Sequence, residues 1–117
     1  MAGDTIKIKI GSQTLKAVLL DHPSAKAFKE MLPLTIDMTE LNGNEKYGAL
    51  SESILTNAER FKAIKSGDLM LYGSQTLVLF YKSFPTTYSY TKLGSVNDIT
   101  GLAALGSGNV SITFETE

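Results

Sequence analysis

Ile6-Lys7-Ile8-Lys9-Ile10 places three isoleucines on one side of the chain and two lysines on the other. A period of two belongs to a half-buried strand. The far end of the sequence answers it. Val110, Ile112 and Phe114 alternate with polar residues, and Glu115 and Glu117 follow. If the two segments pair antiparallel, the glutamates face Lys7 and Lys9. Such a pairing joins the first strand to the last and removes the free sheet edges. The expected fold is mostly β, a closed antiparallel barrel of about eight strands with two short capping helices.

The intervening sequence supplies the other strands. After a turn at Gly11-Ser12-Gln13, a second strand is predicted over residues 14–20. Asp21-His22-Pro23-Ser24 starts a helix, with a capping oxygen from Asp21 or Ser24 and proline in the first turn. Ala25, Phe28 and Leu32 recur at helical spacing until Pro33. Leu34, Ile36 and Met38 restore the strand period, and Asn42-Gly43 marks a hairpin because both residues tolerate positive φ. The return strand is predicted over residues 46–50. Residues 51–66 show no strict period and are expected to be irregular with a helical turn, pinned by Ile54, Leu55, Phe61 and Ile64. A hairpin follows, with arms over 69–72 and 76–81. Its second arm, Leu77-Val78-Leu79-Phe80-Tyr81, is apolar on both faces. That suits a strand buried on both sides or one showing a side to a ligand groove. Tyr88 and Tyr90 then alternate with Ser89 and Thr91, and a second helix is predicted over 98–105, stopped by Gly106. Gly-Ser-Gln-Thr-Leu occurs at both 11–15 and 73–77. Repeated turn chemistry explains it better than duplication, since nothing outside the five residues matches.

The composition bounds the chemistry. The 117 residues fit one domain, spanning 1–117, with 43% hydrophobic and 20% charged residues. Eleven Lys and Arg against twelve Asp and Glu give a net charge of −1. A nucleic-acid binder would carry a basic excess, so no nucleic-acid partner is expected. There is no Cys, one His (His22), no Trp and one Arg (Arg60). Thiol chemistry and multi-histidine metal sites are therefore excluded, and neither a metal nor a cofactor is expected. No apolar run approaches the roughly 20 residues of a membrane span. The start Met1-Ala2-Gly3-Asp4 lacks the features of a signal peptide, so a cytoplasmic location is expected; an exported chain already trimmed would read alike.

Several stretches resemble the bacterial cyclophilin-like family, for which no activity is agreed. They are Leu32-Pro33-Leu34-Thr35, Asn42-Gly43-Asn44-Glu45-Lys46-Tyr47, Gly67-Asp68-Leu69-Met70-Leu71-Tyr72-Gly73, Leu77-Val78-Leu79-Phe80-Tyr81 and Tyr88-Ser89-Tyr90-Thr91. Leu93-Gly94 and Gly101-Leu102 resemble its late turn and helix. The resemblance implies a cyclophilin-like barrel over nearly the whole chain. True cyclophilins, similar only in element order, isomerise X–Pro bonds in an apolar groove. There an Arg donates to the prolyl amide nitrogen as it gains lone-pair character in the twisted transition state. Phe80 resembles a groove aromatic of that kind. No Arg occupies residues 34–41, where the resemblance would put the donor, and Arg60 lies in the irregular segment.

Two clusters remain as candidate site residues. Asn42, Asn44, Glu45 and Tyr47 are polar enough to hold a ligand at the barrel mouth, although a hairpin turn bonding its own backbone accounts for them too. A calcium loop is excluded, because Gly43 at its sixth position would put Met38 at the first. Phe80, Tyr81, Phe84, Tyr88 and Tyr90 form a dense aromatic set, suited to a peptide, a flat small molecule or the barrel core. His22 beside Asp21 is a helix-start residue rather than a general base, since no nucleophile turn accompanies it. The sequence thus points to a non-catalytic binding module for a peptide or small molecule, with a groove at Asn42, Asn44, Glu45, Tyr47, Phe80, Phe84, Tyr88 and Tyr90. The alternative is a weak peptidyl-prolyl isomerase in which a tyrosine hydroxyl or Lys46 replaces the missing Arg. A monomer or weak homodimer is expected, pairing in the latter case through exposed strand faces.

Overall fold

The alternating termini do meet. In a computed structural model describing residues 4–117, except for the side chain of Ala104, β1 (Thr5–Ile10) lies between β2 (Gln13–Leu19) and the last strand, β11 (Val110–Thr116). The expectation about the Met1-Ala2-Gly3 start lies outside the described residues. Helix α1 (Pro23–Glu30) follows β2, and then β3 (Leu34–Leu41) and β4 (Glu45–Ala49) form a hairpin. After the two-residue strands β5 (Glu59–Arg60) and β6 (Ala63–Ile64) comes the hairpin of β7 (Asp68–Tyr72) and β8 (Thr76–Phe80). The short β9 (Phe84–Pro85), β10 (Ser89–Val96) and a 3-10 helix (Ile99–Leu105) precede β11. Eight strands pair in the order β2-β1-β11-β3-β4-β8-β7-β10, and β10 returns to β2 to close an antiparallel barrel.

The termini deliver the charge pairing in a shifted form. Lys7 sits opposite Glu115 in register, but the ion pair runs diagonally from Lys9 to Glu115 at 2.9 Å. Glu117 reaches Lys16 of β2 at 3.2 Å instead of either lysine of β1. The barrel interior is filled by the inward faces of its strands, including Ile6, Ile8, Leu19, Met38, Leu71, Leu79 and Phe114. Phe28 of α1 packs edge-on against Phe114, with ring centroids 5.9 Å apart.

The cap of the first helix differs from expectation in chemistry, and the second helix stops at Gly106 as expected. Helix α1 is capped by His22 rather than Asp21 or Ser24. The His22 Nδ1 accepts from the Ala25 N–H at 3.2 Å, while Nε2 lies 2.7 Å from the Lys92 carbonyl oxygen. A ring nitrogen therefore takes the place of the short side-chain oxygen that usually caps a helix, and this use makes His22 structural. The second helix is 3-10, with Asp98 accepting from the Thr100 N–H and Gly106 in the left-handed region at φ 67°.

The repeated pentapeptide forms two unequal turns. Ile10 pairs with Gln13 in the first hairpin, whereas Tyr72 pairs with Thr76 in the other. Each turn uses its glycine at positive φ, which is the feature they share.

The doubly apolar β8 is buried on both sides. Leu77 and Leu79 point into the barrel, whereas Val78 and Phe80 join Met70, Ile64 and Tyr90 in a second cluster on the outer wall. Residues 51–66 wrap over that wall without the expected helical turn, forming β5 against β10 and β6 against β9. Ile54, Phe61 and Ile64 anchor the segment, but Leu55 is exposed.

Candidate binding groove on the outer barrel wall

Strand register decides which side chains share the outer wall. Across β4 and β8, Glu45 pairs with Phe80, Tyr47 with Val78 and Ala49 with Thr76. Across β8 and β7, Val78 pairs with Met70 and Thr76 with Tyr72. Residues directly opposite on antiparallel strands point the same way. Glu45, Tyr47, Thr76, Val78 and Tyr72 therefore face outward together. The segment entering β10 brings Tyr88 and Tyr90 alongside. The result is an open groove of ≈ 400 Å³ lined by these residues with Leu41 and Asn42.

Five of the eight residues expected from the sequence line this groove: Asn42, Glu45, Tyr47, Tyr88 and Tyr90. The other three lie elsewhere. Phe80 has no exposed surface and supports the groove from beneath, its ring 5.5 Å from that of Tyr90 in an edge arrangement. Phe84 lines a neighbouring open depression of ≈ 540 Å³ with Lys62, Pro85, Thr86 and Thr87, and Tyr88 borders both. Asn44 holds the hairpin: its N–H donates to the Leu41 carbonyl and its carbonyl accepts from Tyr81. Its side-chain Oδ1 is buried without a hydrogen-bond partner among the described residues. Asn42 and Gly43 both adopt positive φ, as the hairpin pattern requires.

Sequence reasoning passed over Tyr72, Thr76, Val78 and Leu41. Tyr72 and Thr76 flank the Gly73 turn, and their pairing across it is a signal that places a tyrosine on the same face as Val78. Tyr72 and Tyr88 are 50% and 62% exposed, and their rings meet edge to face at 6.3 Å. Tyr72 also contacts the Tyr90 ring at 5.7 Å. The wall is thus a connected set of aromatic surfaces with free faces.

Lys46 cannot replace an Arg donor in this groove. It alternates with Glu45 and Tyr47 and so points inward, where its side chain is completely buried. The ammonium donates to Glu40 Oε1 at 2.9 Å and to the carbonyls of Gly106 and Gly108 at 3.1 and 2.5 Å. It also lies 5.4 Å from the centre of the Tyr81 ring. Tyr81 donates its hydroxyl to the same Glu40 oxygen. The missing sequence signal was simple alternation. Arg60 does not supply the donor either, because it is exposed on β5, opposite Ser89, and does not line the groove.

The electrostatics separate the two glutamates. The Tyr81 hydroxyl and then Lys46 hold the Glu40 carboxyl below the usual carboxylate range. Burial, and then the Glu40 bond, push the Tyr81 phenol up to about 12. Glu45 moves the other way, raised by burial and then by the charge of Glu40. Burial and then the Glu45 charge likewise raise Tyr90. Among the described residues no group of three or more His, Asp or Glu side chains converges as a metal site would require. No helix among them is long and apolar enough to cross a membrane.

A closed eight-stranded barrel with a groove on its outer wall and helical segments over its ends is a cyclophilin-like architecture. The cyclophilin-like family model matches residues 8–115, and the chain belongs to that family. Two solved structures share the fold. McbB in complex with tryptophan superposes with a TM-score of 0.72 at 16% identity, covering 96% of this chain. The chain spans only 44% of McbB. A hypothetical protein, AF2241 from Archaeoglobus fulgidus, superposes with a TM-score of 0.72 at 14% identity, over 98% of this chain and 95% of the other. No curated protein matches the sequence.

Proposed function

We propose that this chain is a non-catalytic binding module that takes a compact small molecule in the outer-wall groove. The observation that carries this reading is the groove itself. Four tyrosines, Tyr47, Tyr72, Tyr88 and Tyr90, converge on ≈ 400 Å³ of space. That volume lies within the range of about 300–1,000 Å³ of ordinary small-ligand sites, and tyrosine offers both an apolar face and a polar tip. McbB, which shares the fold, was solved in complex with tryptophan, and that makes tryptophan a suitable first probe. An extended peptide is the other candidate occupant.

Weak prolyl isomerisation is the second reading, favoured by the tyrosine hydroxyls, which can donate to a prolyl nitrogen. With Lys46 and Arg60 directed elsewhere, the tyrosine hydroxyls share the groove's donor role only with the Asn42 amide and the Thr76 hydroxyl.

Amide NMR of the labelled protein tests both readings. Tryptophan and a proline-containing peptide are titrated separately, and exchange between the peptide's cis and trans signals is followed. The expected result is tryptophan-dependent shifts at Tyr47, Tyr72 and Tyr88, with peptide exchange left at its uncatalysed rate of tens to hundreds of seconds. Shifts with the peptide alone would make the occupant a peptide. Accelerated exchange would replace the module reading with isomerase activity. Silence from both titrations would sink the groove as a binding site.

A further inference from the structure

The groove has one charged wall residue. Of the nine side chains lining it, Glu45 alone is ionisable in the ordinary acidic or basic range. No Lys, Arg or His side chain approaches Glu45 within ion-pair distance among the described residues. The nearest candidate cation by sequence, Lys46, is turned through the barrel wall and held by Glu40, Gly106 and Gly108. The other nearby carboxylate, Glu40, is already engaged by Lys46, Tyr81 and the Gly43 N–H. Glu45 is thus a half-buried carboxylate with a negatively charged neighbour and no compensating cation.

The rings around it carry complementary chemistry. An aromatic face is electron-rich and attracts a cation placed over it, more strongly where water is excluded. Tyr47, Tyr72, Tyr88 and Tyr90 surround the same space, and the exposed faces of Tyr72 and Tyr88 remain open. A carboxylate beside several free ring faces, with no cation in the wall, repels anions and leaves an ammonium well solvated by protein groups.

Resting on the groove reading, we infer that the ligand is an organic ammonium ion, its apolar body lying on Tyr72 and Tyr88 and its positive nitrogen at Glu45. The raised affinity of Glu45 for its proton supports the same reading, since a bound cation would offset the cost that burial and the Glu40 charge place on the ionised carboxylate.

Three probes of one shape test the charge. Phenethylammonium, phenethyl alcohol and hydrocinnamate share a benzene ring and a short tether, and end in a cation, a neutral group and an anion. Each is titrated into the labelled protein and into Glu45→Gln, reading the amide shifts of Tyr47, Tyr72 and Tyr88. The ammonium is expected to bind about tenfold more tightly than the alcohol, and hydrocinnamate more weakly than either. Glu45→Gln should weaken the ammonium about fivefold and leave the alcohol unchanged, a loss of about 1 kcal/mol. Equal affinity of the alcohol and the ammonium, or a Glu45→Gln protein that keeps the preference, would overturn the cation while leaving the groove as a neutral site. Absence of shifts with all three would overturn the groove reading and the cation together.

Discussion

Lys46 and Glu40 face each other across the β3–β4 hairpin at 2.9 Å, with the lysine side chain fully buried and the glutamate largely so. The pair ties three parts of the chain together. Glu40 accepts from the Gly43 N–H at the hairpin tip and from the Tyr81 hydroxyl beyond β8. Lys46 holds the two carbonyls that follow the 3-10 helix. The ammonium thereby plugs one end of the barrel, a place where an apolar residue would leave those oxygens without donors.

Lys46→Met keeps most of the alkyl stem and removes the donors. The variant is expected to lose about 2 kcal/mol of unfolding free energy, because the half-buried Glu40 carboxylate loses its counter-charge and the Gly106 and Gly108 carbonyls lose their donor. Urea unfolding measures it. A loss below about 1 kcal/mol would mean that water replaces the ammonium and that the plug is dispensable.

Acid should act through Glu40. Its folded-state pKa lies below its ordinary value of 4.5, first because of the Tyr81 hydroxyl and then because of Lys46. A depressed carboxylate contributes stability that is complete above the unfolded value and is lost as pH falls through the folded one. The melting temperature should therefore begin to fall below about pH 4.5, and Glu40→Gln should start lower and show a shallower acid limb. An unchanged acid limb in Glu40→Gln would assign acid sensitivity to other carboxylates.

Two aromatic residues that the sequence assigned to one groove should behave in opposite ways on truncation. Phe80 has no exposed surface and packs against Phe84 and Tyr90. Phe80→Ala should cost about 3–5 kcal/mol through the cavity it leaves. Tyr88 is 62% exposed and contacts Tyr72 only edge to face. Tyr88→Ala should change stability by less than about 1 kcal/mol and still weaken ligand binding. Thermal unfolding of both variants settles the contrast. A Tyr88→Ala protein as unstable as Phe80→Ala would make Tyr88 a packing residue.

These two positions also show what the sequence could and could not convey. The barrel was legible because Ile6, Ile8 and Ile10 at one end and Ile112 and Phe114 at the other obey a strict period of two, and register follows from burial of one face. The groove was half legible. Tyr88 and Tyr90 share a face by alternation, but β8 is apolar on both sides, so periodicity gave no reason to separate buried Phe80 from exposed surface. The wrapping of residues 51–66 over the outer wall, through Ile64, hides it together with the rings of Phe84 and Tyr90. Strands of two residues such as β5 and β6 have no period to read. The cap at His22 was missed for a chemical reason, since its acceptor is a ring nitrogen.

Glu45 carries a cost in the folded chain, and that cost has a measurable sign. Its folded-state pKa is raised by burial and then by Glu40, so the native chain holds a proton more tightly than the unfolded chain does. Stability contributed by that proton is present at low pH and is lost as pH rises from the ordinary value of 4.5 through the folded one. At neutral pH the ionised carboxylate therefore opposes folding. Glu45→Gln removes the charge with little change in shape and should raise the melting temperature near pH 7 by about 2 °C, equivalent to about 0.5 kcal/mol. Near pH 4 the gain should shrink, because the wild-type carboxyl is then largely protonated in the native state. A carboxylate kept at such a cost, with neighbouring Glu40 already paired, fits a wall residue whose counter-charge arrives with the ligand. Destabilisation by Glu45→Gln at neutral pH would show instead that Glu45 holds the fold.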